Sequence, residues 1–198
     1  MKNKKVRALI CSLAAVMAIG FVPTCLTGCG KSSDNTEVSS TSNKKETAKK
    51  SDKKADKKAN SKSTAETQAA LVEAFKSVAT ENGLDDLSTN DSFSGVGDSM
   101  KATGAKDYAV YGKLASGLSC QLIVADESIS KLFLDQFKTQ YNLTEVEKND
   151  KSTILSGEIT SCKGFVAGGK CYTLICMGLN EEEVKDITTK INTKLADI

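Results

Sequence analysis

A stretch of charged and small polar residues divides this chain and limits what it can fold into. Residues 30–63 contain no aromatic side chain and one aliphatic β-branched residue, Val38. Ten lysines and five carboxylates lie in the same segment, which gives it a net charge of +5. Such a segment cannot bury enough apolar surface to offset the entropy lost on folding, so we expect it to be disordered. The folded core must therefore come from residues 64–198, which are enough for one domain.

Residues 1–28 have the three parts of a secretory signal peptide in order. Four basic residues, all within positions 2–7, precede an uncharged and almost wholly apolar run over residues 8–22. This run is shorter than the roughly 20 apolar residues that a lasting membrane-spanning helix needs. Pro23 then breaks the helix ahead of the cleavage region. The order of these parts predicts that the chain is exported from the cytoplasm.

The tetrapeptide Leu26-Thr27-Gly28-Cys29 resembles the lipobox of bacterial lipoprotein precursors, in which an apolar residue and two small residues precede a cysteine. The resemblance ends at Cys29 and does not extend into the rest of the chain. It implies that signal peptidase II recognises Leu26, Thr27 and Gly28, and that a diacylglycerol is attached to the Cys29 thiol. The mature chain would then begin at Cys29, anchored at the extracytoplasmic face of the cell membrane, and we favour a Gram-positive host.

Residues 29–63 are interpreted as the lipidated cysteine followed by a Lys/Ser-rich tether. Its end-to-end distance would be on the order of 30 Å, enough to lift a domain off the membrane. Its lysines would also be attracted to anionic lipid headgroups or anionic wall polymers, and both roles are compatible. We expect no nucleic-acid binding, because no aromatic residues alternate with the lysines.

The patterns become regular from residue 64 and predict a single α+β domain, with a small antiparallel sheet and about three helices packed on one face. Helices are expected after the capping box Ser63-x-x-Glu66, after Asp126 or Ser128, and after Asn180. Alternating apolar residues predict strands in the segments 108–114, 118–124, 146–159 and 165–177. A loop with a short strand near 100–103 is expected over residues 85–106, and a hairpin turn at Gly168-Gly169.

Four cysteines, Cys120, Cys162, Cys171 and Cys176, fall in predicted strands of the domain. A three-residue loop around Gly168-Gly169 would place Cys162 directly across from Cys176, which makes this pair the candidate disulfide, whereas a two-residue turn would place Ile175 there. Cys171 and Cys176 would face opposite sides of one strand. The alternative is that all four are buried free thiols. A metal site is not expected, since the chain has no C-x-x-C motif.

The chain has no histidine, which excludes Ser-His-Asp and Cys-His catalysis and histidine-ligated metals. Ser128-x-x-Lys131 matches the S-x-x-K pattern of penicillin-binding enzymes, but the chain has no K-T-G motif and its S-D-N motif lies in the tether. Ser128 is better explained as a helix cap. We therefore expect no catalytic residues and no cofactor.

These observations favour a lipid-anchored cell-surface protein whose domain is a non-catalytic binding or scaffolding module. The sequence leaves the ligand of residues 64–198 open between a protein and a small molecule. Two alternatives remain: an envelope hydrolase that uses Ser128 and Lys131 or a free cysteine, and an accessory subunit of a membrane complex.

Overall fold

The computed structural model describes residues 64–198, in which one antiparallel sheet lies between two pairs of helices. The predicted signal peptide (residues 1–28), the lipobox, the tether (residues 29–63) and the capping residue Ser63 lie outside the described residues. Within residues 64–198 the predicted α+β class is confirmed.

The helices and strands follow one another without strict alternation. In chain order they are α1 (Thr64–Glu81), β1 (Asp85–Asp86), a 3₁₀ helix (Asp91–Phe93), α2 (Val96–Ala102), β2 (Ala105–Lys113), β3 (Leu118–Ala125), α3 (Glu127–Gln140), β4 (Thr144–Lys148), β5 (Ser152–Ile159), β6 (Cys162–Gly169), β7 (Tyr172–Gly178) and α4 (Glu181–Ala196). The strand order in the sheet is β1-β2-β3-β7-β6-β5-β4, with every neighbouring pair antiparallel. With seven strands, the sheet is larger than the small one predicted.

The helices cover both faces of the sheet. Alternate residues of the central strands, such as Leu122 and Leu174, share a core with α1 and α4, while Ile123 and Ile175 share a core with α2 and α3. The prediction that the helices pack on one face is therefore wrong. β3 and β7 are buried at every position. Strands that are covered on both faces need a near-continuous apolar sequence, so the composition of these two strands agrees with helices on both faces.

The segment before β2 contains a helix where a loop with a short strand was predicted. Val96 and Met100 lie one helical turn apart in α2, and both side chains are buried. Gly95 precedes the helix with a φ of 76°, a conformation that glycine adopts without strain. The amphipathic pattern of α2 is only two buried residues long, so local periodicity could not reveal it.

The hairpin between β6 and β7 turns at residues 170–171, so the predicted turn at Gly168-Gly169 is wrong. Gly168 is still in the ladder, opposite Thr173. Its lack of a side chain serves packing, because a Cβ there would lie 3.1 Å from Cδ1 of Leu134 in α3. Glycine at this position therefore allows α3 to approach the sheet closely.

The predicted start of α4 after Asn180 is confirmed. The side chain of Asn180 caps α4 by accepting a hydrogen bond from the Glu183 N–H at 3.1 Å. Asn142 follows α3 with a φ of 50°, which stops the helix. Within residues 64–198, no helix combines the length and the apolar character that spanning a membrane would require.

Candidate functional site

Three cavities lie at one end of the sheet, where the β4–β5 and β6–β7 turns project. We call them by the helix that lines each: the α3 cavity of about 360 Å³, the α4 cavity of about 420 Å³ and the α1 cavity of about 270 Å³. Asp150 and Lys151, at the tip of the β4–β5 turn, line all three. This end of the domain is therefore the candidate site.

The β4–β5 turn is held by its own hydrogen bonds. The Asn149 side-chain oxygen accepts from the backbone N–H groups of Lys151 and Ser152, both at 2.9 Å. The Asn149 N–H also donates to the Ser152 carbonyl at 2.9 Å. An ion pair of 3.0 Å from Lys151 Nζ to Asp197 ties the turn to the end of α4. Exposed pairs of this kind add at most about 1 kcal/mol.

The α3 cavity carries an unusual balance of charge for this domain. Residues 64–198 contain 13 lysines and 20 carboxylates. The cavity wall instead has five lysines against four carboxylates: Lys131, Lys138, Lys148, Lys151 and Lys170, with Glu127, Asp135, Glu145 and Asp150. The cavity wall thus has a net charge of +1, while the domain as a whole is acidic.

Three of these lysines have no ion-pair partner among the described residues. Lys138 pairs with Glu145 at 4.0 Å and Lys151 with Asp197 at 3.0 Å. For Lys131, Lys148 and Lys170, no carboxylate of the described domain lies within 4.0 Å. Their ammonium groups can therefore meet an anion from solvent without first losing a protein partner.

A chain of buried polar side chains lies behind the cavities. The Tyr172 hydroxyl donates to Asn192 Oδ1 at 2.8 Å, and Asn192 Nδ2 donates to Ser152 Oγ at 3.1 Å. All three side chains are more than nine-tenths buried. Asn192 and Ser152 line the α4 cavity, Ser152 also lines the α3 cavity, and Tyr172 lines the α1 cavity. These hydrogen bonds thus connect β7, α4 and β5 at the candidate site.

The donor and acceptor roles in these hydrogen bonds depend on Tyr172 keeping its proton. Burial raises the pKa of the Tyr172 phenol well above its ordinary value of 10.0. Tyr172 therefore remains a hydrogen-bond donor at physiological pH, and Asn192 accepts through its oxygen and donates through its nitrogen. Since Ser152 Oγ receives a hydrogen bond from Asn192, its own hydroxyl proton is left to donate to another acceptor.

The structure does not join Ser128 and Lys131 into a reactive pair. Both are exposed, Ser128 in the first turn of α3 and Lys131 at the start of the second. Lys131 lines the α3 cavity and Ser128 does not, and within the described domain no hydrogen bond connects them. Asp126 occupies the N-cap position of α3, so the interpretation of Ser128 as the cap is wrong.

Cys162 and Cys176 are not brought together, and the candidate disulfide between them is wrong. Cys162 lies opposite Ile159 in β5 and belongs to the core beside α2 and α3. Cys176 lies opposite Phe165 and belongs to the core on the other face. The cause is the position of the β6–β7 turn, which sets a different register from the one predicted. All four cysteines of the described residues are free thiols.

Sequence analysis missed Tyr172, Asn192 and Ser152 as site residues. One signal could have indicated Asn192, which lies next to Ile191 on the buried face of α4 and is polar where an apolar residue is expected. Ser152 has no such signal, because it becomes buried only when α4 covers β5. In the part of the chain that the structure describes, no cluster of three or more Cys, Asp or Glu side chains could hold a metal ion.

No protein-family model, curated protein or solved structure matches this chain. Its function is therefore inferred from the cavity residues, the distribution of charge and the N-terminal motif.

Proposed function

We propose that this chain is a lipid-anchored cell-surface protein whose domain is a non-catalytic module that binds a small anionic ligand in the α3 cavity. The resemblance of residues 26–29 to a lipobox supports the anchor and the extracytoplasmic location. The observation that carries the binding function is the group of three lysines, Lys131, Lys148 and Lys170, that line one cavity without carboxylate partners in the described domain.

The size and lining of the cavity support a small ligand with a phosphate or carboxylate group. A volume of about 360 Å³ lies within the range of small-molecule sites. Lysine ammonium groups bind such anions as point charges with three donors each. Gly168 and Gly169 place backbone without side chains in the cavity wall. Ser152, at the start of β5, also lines this wall.

Two of the cavity lysines also line a neighbouring cavity. Lys151 and Lys170 both line the α1 cavity, together with Thr67 in the first turn of α1. Because the proposed attraction comes from exposed charges, binding of an anionic ligand would weaken as salt screens these charges.

The test is a titration of the mature chain, residues 29–198, with glycerol 3-phosphate, followed by the amide signals in NMR spectra. We expect signals of residues 149–152 and 168–170 to shift in a saturable way, and less so at higher salt. Glycerol is the uncharged control and should leave these signals in place. Saturable shifts with glycerol alone, or shifts with glycerol 3-phosphate that appear only elsewhere in the domain, would contradict an anion site in the α3 cavity.

Matched variants separate a local site from general charge attraction. The triple variant Lys131→Gln, Lys148→Gln and Lys170→Gln should weaken binding of glycerol 3-phosphate about tenfold, a loss of about 1.4 kcal/mol. The control triple variant removes the same charge from exposed lysines outside the three cavities: Lys101→Gln, Lys185→Gln and Lys194→Gln. Equal losses in the two triple variants would rule out the α3 cavity as the site.

A further inference from the structure

Two cysteines that sequence analysis did not pair lie side by side in the centre of the sheet. Cys120 in β3 is directly opposite Cys176 in β7. Both side chains are 0 % exposed, and both belong to the core that α1 and α4 cover. Directly opposite residues of antiparallel strands that share a face are close neighbours, so the two thiols meet inside this core.

The proximity of the two cysteines affects the pKa of Cys120 and meets the distance requirement of a disulfide. Burial raises the pKa of the Cys120 thiol well above its ordinary value of 9.0, and a hydrogen bond with the Cys176 thiol raises it further. Directly opposite residues in antiparallel strands have Cα atoms about 4.5–5.5 Å apart. A disulfide needs a Cα separation of about 4.4–6.8 Å. The ladder therefore already holds the two cysteines at a distance that a disulfide can bridge.

The other two cysteines of the described domain have no such neighbour. Cys162 lies on the opposite face of the sheet, and its partner in the ladder is Ile159. Cys171 is in the β6–β7 turn and is partly exposed. Cys120 and Cys176 are thus distinguished from them by register, face and depth.

We propose that Cys120 and Cys176 form a disulfide when the domain folds in an oxidising environment, and that this bond locks β3 to β7. With oxidised glutathione as the oxidant, the thiolate of one cysteine attacks the small disulfide and releases one glutathione thiol. The thiolate of the second cysteine then attacks the mixed disulfide, forms the Cys120–Cys176 bond and releases a second glutathione thiol. Two electrons and two protons leave the protein and reduce one oxidised glutathione to two thiols.

The burial of the pair determines when this exchange takes place. The attacking species is a thiolate, and both thiols are fully buried beneath α1 and α4. Exchange should therefore be fast during refolding, before the helices cover the sheet, and slow in the folded reduced domain. For the same reason, the bond should resist reductants until the domain unfolds.

The experiment uses chain extracted from its cells in detergent, unfolded in urea with reductant, and refolded with or without a mixture of oxidised and reduced glutathione. Free thiols are blocked with maleimide in denaturant, and the chain is digested with trypsin without reduction. The expected product joins the peptide 114–131, which contains Cys120, to the peptide 171–185. Because the second peptide also contains Cys171, a Cys171→Ser variant must give the same linked product.

Thermal unfolding supplies the second measurement. A bond that closes the long loop between Cys120 and Cys176 should raise the melting temperature of the oxidised protein by about 10 °C over the reduced protein. Cys176→Ala should abolish this difference between oxidised and reduced samples, whatever it does to the melting temperature itself. Cys162→Ser is the control and should keep the difference.

The proposal is overturned if the refolded oxidised chain has all four domain thiols free, or if its linked peptides contain Cys162 or require Cys171. A linked product with no difference in melting temperature between the oxidised and reduced forms would also contradict a bond that locks β3 to β7. These outcomes do not depend on glycerol 3-phosphate binding, so the disulfide and the anion site can fail separately.

Discussion

At the scale of single residues, the buried polar chain of Tyr172, Asn192 and Ser152 is the most informative feature of the domain. Each of these side chains is more than nine-tenths buried, so each depends on the others for its hydrogen bonds. A buried polar group that loses its partner costs about 1–3 kcal/mol, more than the net gain from making the bond. Removing one of these three side chains should therefore leave a buried polar group of its neighbour without a hydrogen-bond partner.

Tyr172→Phe should lower the free energy of unfolding by about 1–2 kcal/mol, because Asn192 Oδ1 would lose its donor inside the core. Urea denaturation at neutral pH measures this change. Tyr141→Phe is the matched control, since Tyr141 is only half-buried and its hydroxyl has a single long contact of 3.5 Å, from Gln140. We expect the control to change stability by about 0.5 kcal/mol at most, as substitutions away from buried polar groups usually do. If the two variants lowered the free energy of unfolding equally, the hydrogen bond from Tyr172 to Asn192 would not contribute to stability.

The same tyrosine predicts a dependence on alkaline pH. The pKa of Tyr172 is raised in the folded domain above its ordinary value of 10.0, so above that pH the unfolded chain releases this proton while the folded domain keeps it. The contribution of Tyr172 is thus complete below pH 10 and is lost as the pH rises further. Wild-type stability should fall more steeply than that of Tyr172→Phe as the pH rises above about 10. If the unfolding free energies of the two proteins fell in parallel with pH, the raised pKa of Tyr172 would be contradicted.

At the scale of secondary-structure elements, the fold depends on how closely the helices approach a sheet that is buried on both faces. α3 contacts β6 at Gly168, where Leu134 lies over the strand. Sequence analysis correctly placed α1, α3 and α4, since amphipathic periodicity is a local property of each helix. It could not assign the helices to faces, because that depends on which strands become neighbours.

Gly168→Ala should lower the free energy of unfolding by about 1–3 kcal/mol, because its Cβ would lie 3.1 Å from Leu134 Cδ1 and 3.2 Å from Cδ2. Gly97→Ala is the opposite control, since Gly97 lies within α2 and its Cβ would make an ordinary contact of 3.5 Å with Tyr108. We expect that substitution to stabilise the domain by about 0.5–1 kcal/mol. Denaturant unfolding of both variants measures these changes in the free energy of unfolding. If Gly168→Ala left that free energy unchanged, α3 would be free to move away from the sheet.

At the scale of the whole molecule, charge is divided among the segments. The net charge of +2 combines +4 in residues 1–28, +5 in residues 30–63 and −7 in residues 64–198. In the proposed mature protein, a basic tether would be attracted to an anionic membrane surface that repels the acidic domain. The lysine-lined α3 cavity is the local exception within that domain.

Cys29→Ala should abolish membrane retention and leave protein that is unprocessed or shed into the medium. The reason is that the proposed lipid is attached to this thiol. Cell fractionation and labelling with radioactive palmitate measure both effects. Cys25→Ala is the matched control, because Pro23 and Thr24 precede Cys25 and do not form a lipobox, and it should leave retention unchanged. A Cys29→Ala protein that stayed on the membrane in fully processed form would refute the anchor.

The cysteines show that the neighbours of a strand residue could not be predicted from the sequence. All four domain cysteines were expected in strands, and the structure confirms this for Cys120, Cys162 and Cys176, whereas Cys171 lies in the β6–β7 turn. Which of them are neighbours depends on a register that the β6–β7 turn sets, and a shift of that turn toward the C-terminus separated Cys162 from Cys176. Pairing of Cys120 with Cys176 depends on β3 meeting β7, although α3, β4, β5 and β6 lie between them in the chain.

The sequence by itself determined the α+β class and most of the helices and strands of residues 64–198, because these follow from composition, periodicity and capping within short segments. Only the tertiary structure decided that both faces of the sheet are covered, that Cys120 meets Cys176, and that lysines of α3 and of two distant turns line one cavity. Each of these depends on contacts between residues far apart in the chain. Such contacts are set by strand order, register and burial together.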